Sequence, residues 1–180
     1  MTDPWAAARE LQQWLEAGRP LPTIDVPDAP LADGEVAHAD VLCTVARYYA
    51  TEVHYPLGQR LYFEEHPVLG RRLREDLVPT PGEFQAAQRA AEPQWRDSSA
   101  ARVVLSSSAL HLQHGCAGGP WSNFAHSHLA GFRPDANGNY ISMNHPPHDP
   151  VLLGGPHVPW LTAALIHLLN RGIGDFEGRS

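Results

Sequence analysis

Seven histidines, His111, His114, His126, His128, His145, His148 and His157, fall within 47 residues of this chain. Imidazole both binds transition metals and exchanges a proton near neutral pH. Placed on a strand, His126 and His128 would leave the same face and could share one metal ion. His145 and His148 flank Pro146-Pro147 in a turn that could approach that pair. Against a metal centre, His111 and His114 point to opposite faces of a continuing strand. No glutamate lies between Glu92 and Glu177 to act as general base, and the spacing matches neither HExxH nor the cupin arrangement. The expectation is satisfied or solvent-facing histidines and no cofactor. The alternative is a metal-dependent enzyme holding zinc or another transition metal on His126, His128, His145 and His148.

Candidate nucleophiles are weaker still. Ser106, Ser107 and Ser108 do not form a GxSxG elbow, and Cys116 follows His114 by two residues without an orienting partner. All 13 basic residues are arginine. The absence of lysine excludes Schiff-base and pyridoxal-phosphate chemistry and a Walker-type phosphate loop within this chain.

A net charge of −7 argues against nucleic acid and against anionic membrane surfaces. The one basic run, Arg71, Arg72 and Arg74, is followed at once by Glu75 and Asp76 and reads as a solvated helix face. Met1 to Glu10 lacks the basic and apolar regions of a secretory signal. The longest apolar stretch, Val158 to Leu169, is too short to span a bilayer. These features predict a soluble cytoplasmic protein with Cys43 and Cys116 as reduced, buried thiols.

The elements that must position these groups can be read in order. Asp3 caps a first helix with Pro4 in its first turn and Gly18-Pro20 at its end, and Trp5, Ala8, Leu11 and Leu15 share one side. Residues 19–32 carry four prolines and read as a linker extended along the surface, so residues 1–32 form an appendage to a domain spanning 33–180. Glu35 to Ala50 reads as a strand. Leu61 to Leu77 reads as an irregular excursion ending in a short helix, within a partly helical insertion at about 55–96. Pro81 to Arg96 reads as a helix capped by Thr80 and ended by Pro93. Strand signals follow at Arg102–Leu105, resuming at Ala109–Leu112, then at Trp121–Ala125, Leu129–Arg133, Tyr140–Asn144 and Val151–Leu153. A final helix runs from Pro156 to near Asn170, with Gly172 as the stop, and presents Trp160, Leu161, Leu165 and Leu168.

The run Arg102-Val103-Val104-Leu105-Ser106, then Leu110, the turn Gly118-Gly119-Pro120-Trp121-Ser122, and Leu129-Ala130-Gly131-Phe132 resembles the bacterial pleckstrin-homology-like and GRAM-like domains. Val151 to Pro156 and the helix after it resemble the closing strand and helix of that pattern. Ala109 stands where arginine is usual, and the segment Tyr55 to Gln94 would be an insertion. The resemblance implies an α+β fold: a curved sheet or small barrel plugged by a C-terminal helix, with additional N-terminal and insertion helices. It also implies a non-catalytic adaptor or regulatory module that works by protein association or self-association as an oligomer. The partner surface is expected around Trp121, Phe124 and Arg133 and on the N-terminal helix. Phosphoinositides are disfavoured, because Arg102, Arg133, Arg171 and Arg179 are balanced by Asp135, Asp149, Asp175 and Glu177.

Overall fold

Aspartate followed by proline starts the first helix as the sequence suggests. In the computed structural model, which describes residues 3–55, 59–77, 79–115, 118–135 and 137–177, α1 spans Pro4–Glu16. Asp3 Oδ1 accepts the Trp5 N–H at 2.9 Å, and Arg9 donates to Asp3 Oδ2 at 2.7 Å. Ala8 and Leu11 are buried and Leu15 packs against the core, while Trp5 stays exposed at the helix start.

The remaining elements are β1 (Ala37–Tyr49), β2 (Gln59–His66), β3 (Gly70–Leu77), α2 (Pro81–Ala91), β4 (Gln94–Ser106), β5 (Ala109–His114), β6 (Trp121–Ala125), β7 (Gly131–Pro134), β8 (Tyr140–Asn144), β9 (Val151–Gly154) and α3 (Val158–Glu177). The chain divides into two units, Met1–Tyr48 with Trp95–Ser180, and Tyr49–Gln94.

In the first unit seven strands form one antiparallel sheet in the order β6-β5-β4-β1-β9-β8-β7. The edge strands β6 and β7 are consecutive in sequence, and this forces curvature. Laid flat, seven strands would hold their edges about 29 Å apart. The six Cα steps from Ala125 to Gly131 reach at most about 21 Å, and a 3-10 turn at His126–His128 shortens them further. The sheet must therefore curl. Among the described residues β6 and β7 do not pair, so the result is an open curved sheet and not a closed barrel.

Helices α1 and α3 pack on each other, and Leu11, Val158, Leu161 and Leu165 join Val103, Leu112, Met143 and Leu153 in one core. Trp160 and Leu168 lie partly buried against it. On the other side of β4, Val26 meets Ala37 and Val104, with Ala29, Leu31 and Trp121 beside them. Residues 21–36 are thus a strap with Leu21 and Val26 buried, where a surface linker was expected. Ile24 also forms a β-bridge with Ala37.

Other expectations change for physical reasons. Arg102–Leu105 and Ala109–Leu112 are two strands of a hairpin, with Leu105 opposite Leu110. Ser106 Oγ accepts the Ala109 N–H at 3.0 Å and so closes the turn at Ser107-Ser108. Helix α2 ends at Ala91, so Gln94–Arg96 belong to β4. Strand β7 begins at Gly131 rather than Leu129. Helix α3 runs through Gly172 and Gly174 to Glu177, since each internal glycine costs only about 1 kcal/mol and does not by itself end a helix. Cys43 is buried as a free thiol, and burial pushes it up to about 11. Cys116 lies outside the described residues.

In the second unit, residues 59–77 form the hairpin β2–β3 in place of an irregular excursion. Arg71 and Arg72 accordingly lie on a strand and not on a helix face. The turn at Pro67 to Gly70 uses the left-handed backbone of Gly70, φ +68°. Helix α2 opens with a full capping box: Thr80 Oγ1 accepts the Glu83 N–H, and Glu83 Oε2 accepts the Thr80 N–H. Tyr55 stacks on Phe84 with ring centroids 4.7 Å apart.

Because Leu165 is buried where α3 meets the sheet, Leu165→Asp should destabilise the first unit by more than about 4 kcal/mol through an unpaired buried carboxylate. Loss of cooperative thermal unfolding is the expected outcome; a folded variant with unchanged Tm would contradict this role for α3.

Candidate functional site

Glu35, near the end of the strap and two residues before β1, gathers a dense polar cluster. Glu35 Oε2 accepts the Ala32 N–H at 2.7 Å. Its Oε1 accepts from the Ser106 and Ser108 hydroxyls and from His111 Nε2, the last at 3.1 Å. Since a carboxylate only accepts, Nε2 carries the His111 proton in this contact. Burial would raise the Glu35 carboxyl, but the hydrogen bonds from Ser106, Ser108, Ala32 and His111 outweigh it and hold the group at about 2. A backbone pair, Val36 O accepting the Ser107 N–H at 2.9 Å, fixes the strap to the same turn.

Serine, histidine and glutamate in contact invite comparison with a hydrolytic triad. In a triad the serine and the acid face opposite ring nitrogens. Here Glu35 and Ser106 both face His111 Nε2, at 3.1 and 3.5 Å, and His111 Nδ1 is buried with no partner. Ser106 is fully buried, so no substrate reaches its hydroxyl. The arrangement clamps the strap to the β4–β5 hairpin, and its exposed serine, Ser108, donates its hydroxyl to Glu35.

A second clamp lies further along the strap. Arg102 on β4 holds Asp40 through Nε and Nη2 at 2.8 and 2.7 Å, and Asp28 through Nη1 and Nη2 at 2.5 and 3.0 Å. Hydrogen bonds to Asp40 and Asp28 raise the guanidinium further above its ordinary value, and the bond from Arg102 lowers the Asp28 carboxyl. The Trp121 ring lies 5.7 Å from the same guanidinium.

The residues expected to bind a partner are not brought together. Trp121 is half-buried on edge strand β6, and Arg133 is exposed on the opposite edge, β7. Phe124 is buried, with its ring edge-on to His145 and His148 at 5.3 and 5.6 Å. It belongs to the core and also lines a cleft.

The histidines are likewise dispersed. His126 and His128 sit in the 3-10 turn, so the shared strand face expected for them does not exist. His126 Nε2 donates to the Ser106 carbonyl at 3.0 Å, and burial lowers its imidazole. His145 is buried, with Nδ1 unpartnered. Burial, and then the nearby His126, His148 and His128, push it down to about 4. His128 and His148 are exposed. His148 and His114 line a cleft of about 490 Å³ whose floor is Leu112, Phe124 and Val151. Among the described residues no three His, Cys, Asp or Glu side chains are grouped to hold a metal ion.

Glu35 escapes a sequence reading that seeks a carboxylate only within the histidine-rich segment, because it lies 76 residues before His111. The available signal was the triple serine at a hairpin turn, a cluster of hydroxyl donors that requires an acceptor once buried. The groove nearest β7 was also missed. It has a volume of about 350 Å³ and is lined by Tyr48, Trp95, Phe132, Arg133, Ser142 and Asn144. Tyr48 and Trp95 meet there at 5.1 Å.

Two of these groups tie stability to pH, each with a definite sign. His145 is held neutral below its ordinary 6.5, so stability is full above 6.5 and falls as pH drops toward about 4. Glu35 is held ionised, so its contribution is full above 4.5 and falls as pH drops toward about 2. After allowance for solvent screening, each window should be worth about 2 kcal/mol. Chemical denaturation against pH should show both losses. His145→Phe should flatten the upper window and Glu35→Gln the lower one; unchanged profiles would contradict these environments.

Compared with models of known protein families, with curated proteins and with solved structures, the chain matches none. Among its described residues no helix is long and apolar enough to cross a membrane.

Proposed function

We propose that this protein is a non-catalytic adaptor or regulatory module of pleckstrin-homology-like architecture that acts by associating with a protein partner. Strand order supports the architecture. With residues 49–94 set aside, β1, β4, β5 and β6 form one antiparallel meander, and β7, β8 and β9 form a second that returns β9 beside β1, before α3 follows. The observation that carries the function is the open edge at β7. Its outer backbone groups have no strand partner among the described residues, and the groove beside it offers two aromatic rings and the exposed Arg133.

An extended peptide can add to such an edge as a further strand, with backbone hydrogen bonds supplying affinity and the groove supplying selectivity. Arg133 favours an acidic residue in that peptide. The buried serine, the paired Arg102 and the wiring of His111 favour binding over hydrolysis and over phosphate recognition.

Selection from a displayed library of random peptides should enrich acidic, extended sequences. Anisotropy titration of a selected peptide should show binding at least about tenfold weaker to Arg133→Glu and to Trp95→Ala, a loss of about 1.4 kcal/mol. No enrichment, or affinity indifferent to both substitutions, would overturn this reading.

A further inference from the structure

The core face of the curled sheet is covered by helices only in part. Val45, Leu112, Phe124 and Val151 belong to the core and also line the cleft of about 490 Å³, to whose wall α1 and α3 contribute no residue. Residues two apart on a strand share a side. The rows that leave the core therefore turn polar as they reach the cleft: Val45 is followed by Arg47 on β1, Leu112 by His114 on β5, and Phe124 by Ser122 on β6. Asp149, two residues before Val151, continues the β9 row. Register sets these changes at one end of the sheet, since Arg47 lies opposite Val151 and Ser122 opposite Leu112. The wall also holds strained backbone. Asp97 on β4 has a left-handed φ of +55°, alone among the described non-glycine residues, and its carboxylate accepts from Arg47 Nη2 at 2.6 Å. Such conformations concentrate at functional sites.

We infer that this cleft binds a small organic cation, with an ammonium group at the Asp149 carboxylate and an apolar body on Leu112, Phe124 and Val151. Charge selects the sign of the ligand. With one arginine against two aspartates, the wall carries an excess negative charge. Arg47 is paired with Asp97, whereas Asp149 has no ion-pair partner among the described residues. An anionic ligand would have to break the Arg47–Asp97 pair to reach a guanidinium, while a cation finds a carboxylate ready to accept a charge-assisted hydrogen bond. The remaining ammonium protons can go to imidazole nitrogens of His114 or His148 and to the Ser122 hydroxyl, all of which line the cleft. The apolar floor requires an apolar body beside the charged group, and the volume lies within the range of about 300–1,000 Å³ common to small-molecule sites. The site is separate from peptide binding at β7. The two cavities share no lining residue, and Arg47 and Tyr48 leave opposite faces of β1.

Calorimetric titration of the full chain with 2-phenylethylammonium should give saturable binding with Kd below about 1 mM. Affinity should be at least about tenfold higher than for 2-phenylethanol or phenylacetate, which keep the ring and replace the charge. Asp149→Asn should weaken the ammonium ion at least about tenfold and leave Tm unchanged, because Asp149 is exposed and holds no partner that the change would strand. Amide chemical-shift changes on binding should concentrate on β5, β6 and β9, and Arg133→Glu should leave the affinity as it is. No saturation by about 10 mM, equal affinity for the three probes, or affinity indifferent to Asp149→Asn would overturn the site. Shift changes centred on β7, or loss of binding in Arg133→Glu, would move the ligand to the other groove and overturn it as well.

Discussion

Everything in the first unit depends on keeping one ionised carboxylate dry. Glu35 collects donors from two serines, one histidine and one backbone amide, which is enough to hold a charge away from water. The cluster is mutually dependent: removal of one donor leaves others buried and unpaired, with a cost of roughly 1–3 kcal/mol for each unsatisfied group. By fixing the strap across the β4–β5 hairpin, it lets the sheet be covered on both faces. Val103 and Val104 point to opposite sides of β4, yet both are fully buried. Arg102 repeats the device further along, with two aspartates on one guanidinium.

That double coverage also explains what the sequence disclosed. A strand buried on one face alternates, whereas Val103-Val104-Leu105 is a continuous apolar run, the pattern of a strand covered on both sides. Local signals were legible for the same kind of reason: Asp3-Pro4 and Thr80-Pro81 act within one turn of the helices they start, and Trp121–Ala125 and Tyr140–Asn144 are bounded by glycine and proline turns. The illegible features were long-range or context-dependent. No spacing rule connects Glu35 to His111. Proline-rich composition suggests a free linker, but Leu21 and Val26 find buried sites because the sheet offers them an uncovered face. The paired histidines at 126 and 128 alternate as in a strand, but the short connection between two sheet edges forces a tight turn there.

The histidines acquire their character from this packing and not from one another. His111 serves the Glu35 clamp, His126 donates to the Ser106 carbonyl, and His145 lies against the Phe124 ring. Three imidazoles thus do three different jobs, and a dense run of histidines in sequence becomes a dispersed set in space. Desolvation without a counter-ion drives His145 neutral, which stabilises the core only while the solvent is not acidic enough to protonate it. Chemistry of this kind holds a fold together, and it leaves the outer sides of the edge strands β6 and β7 without a strand partner among the described residues.

The inserted unit is held by different means. It enters between β1 and β4, which are neighbours in the sheet, and the entropy of closing so long a loop grows only slowly with its length. Such an insertion is tolerated whether or not it folds by itself. Among its described side chains Ala91 is the only buried one, so those side chains contribute little apolar burial to offset their ordering cost.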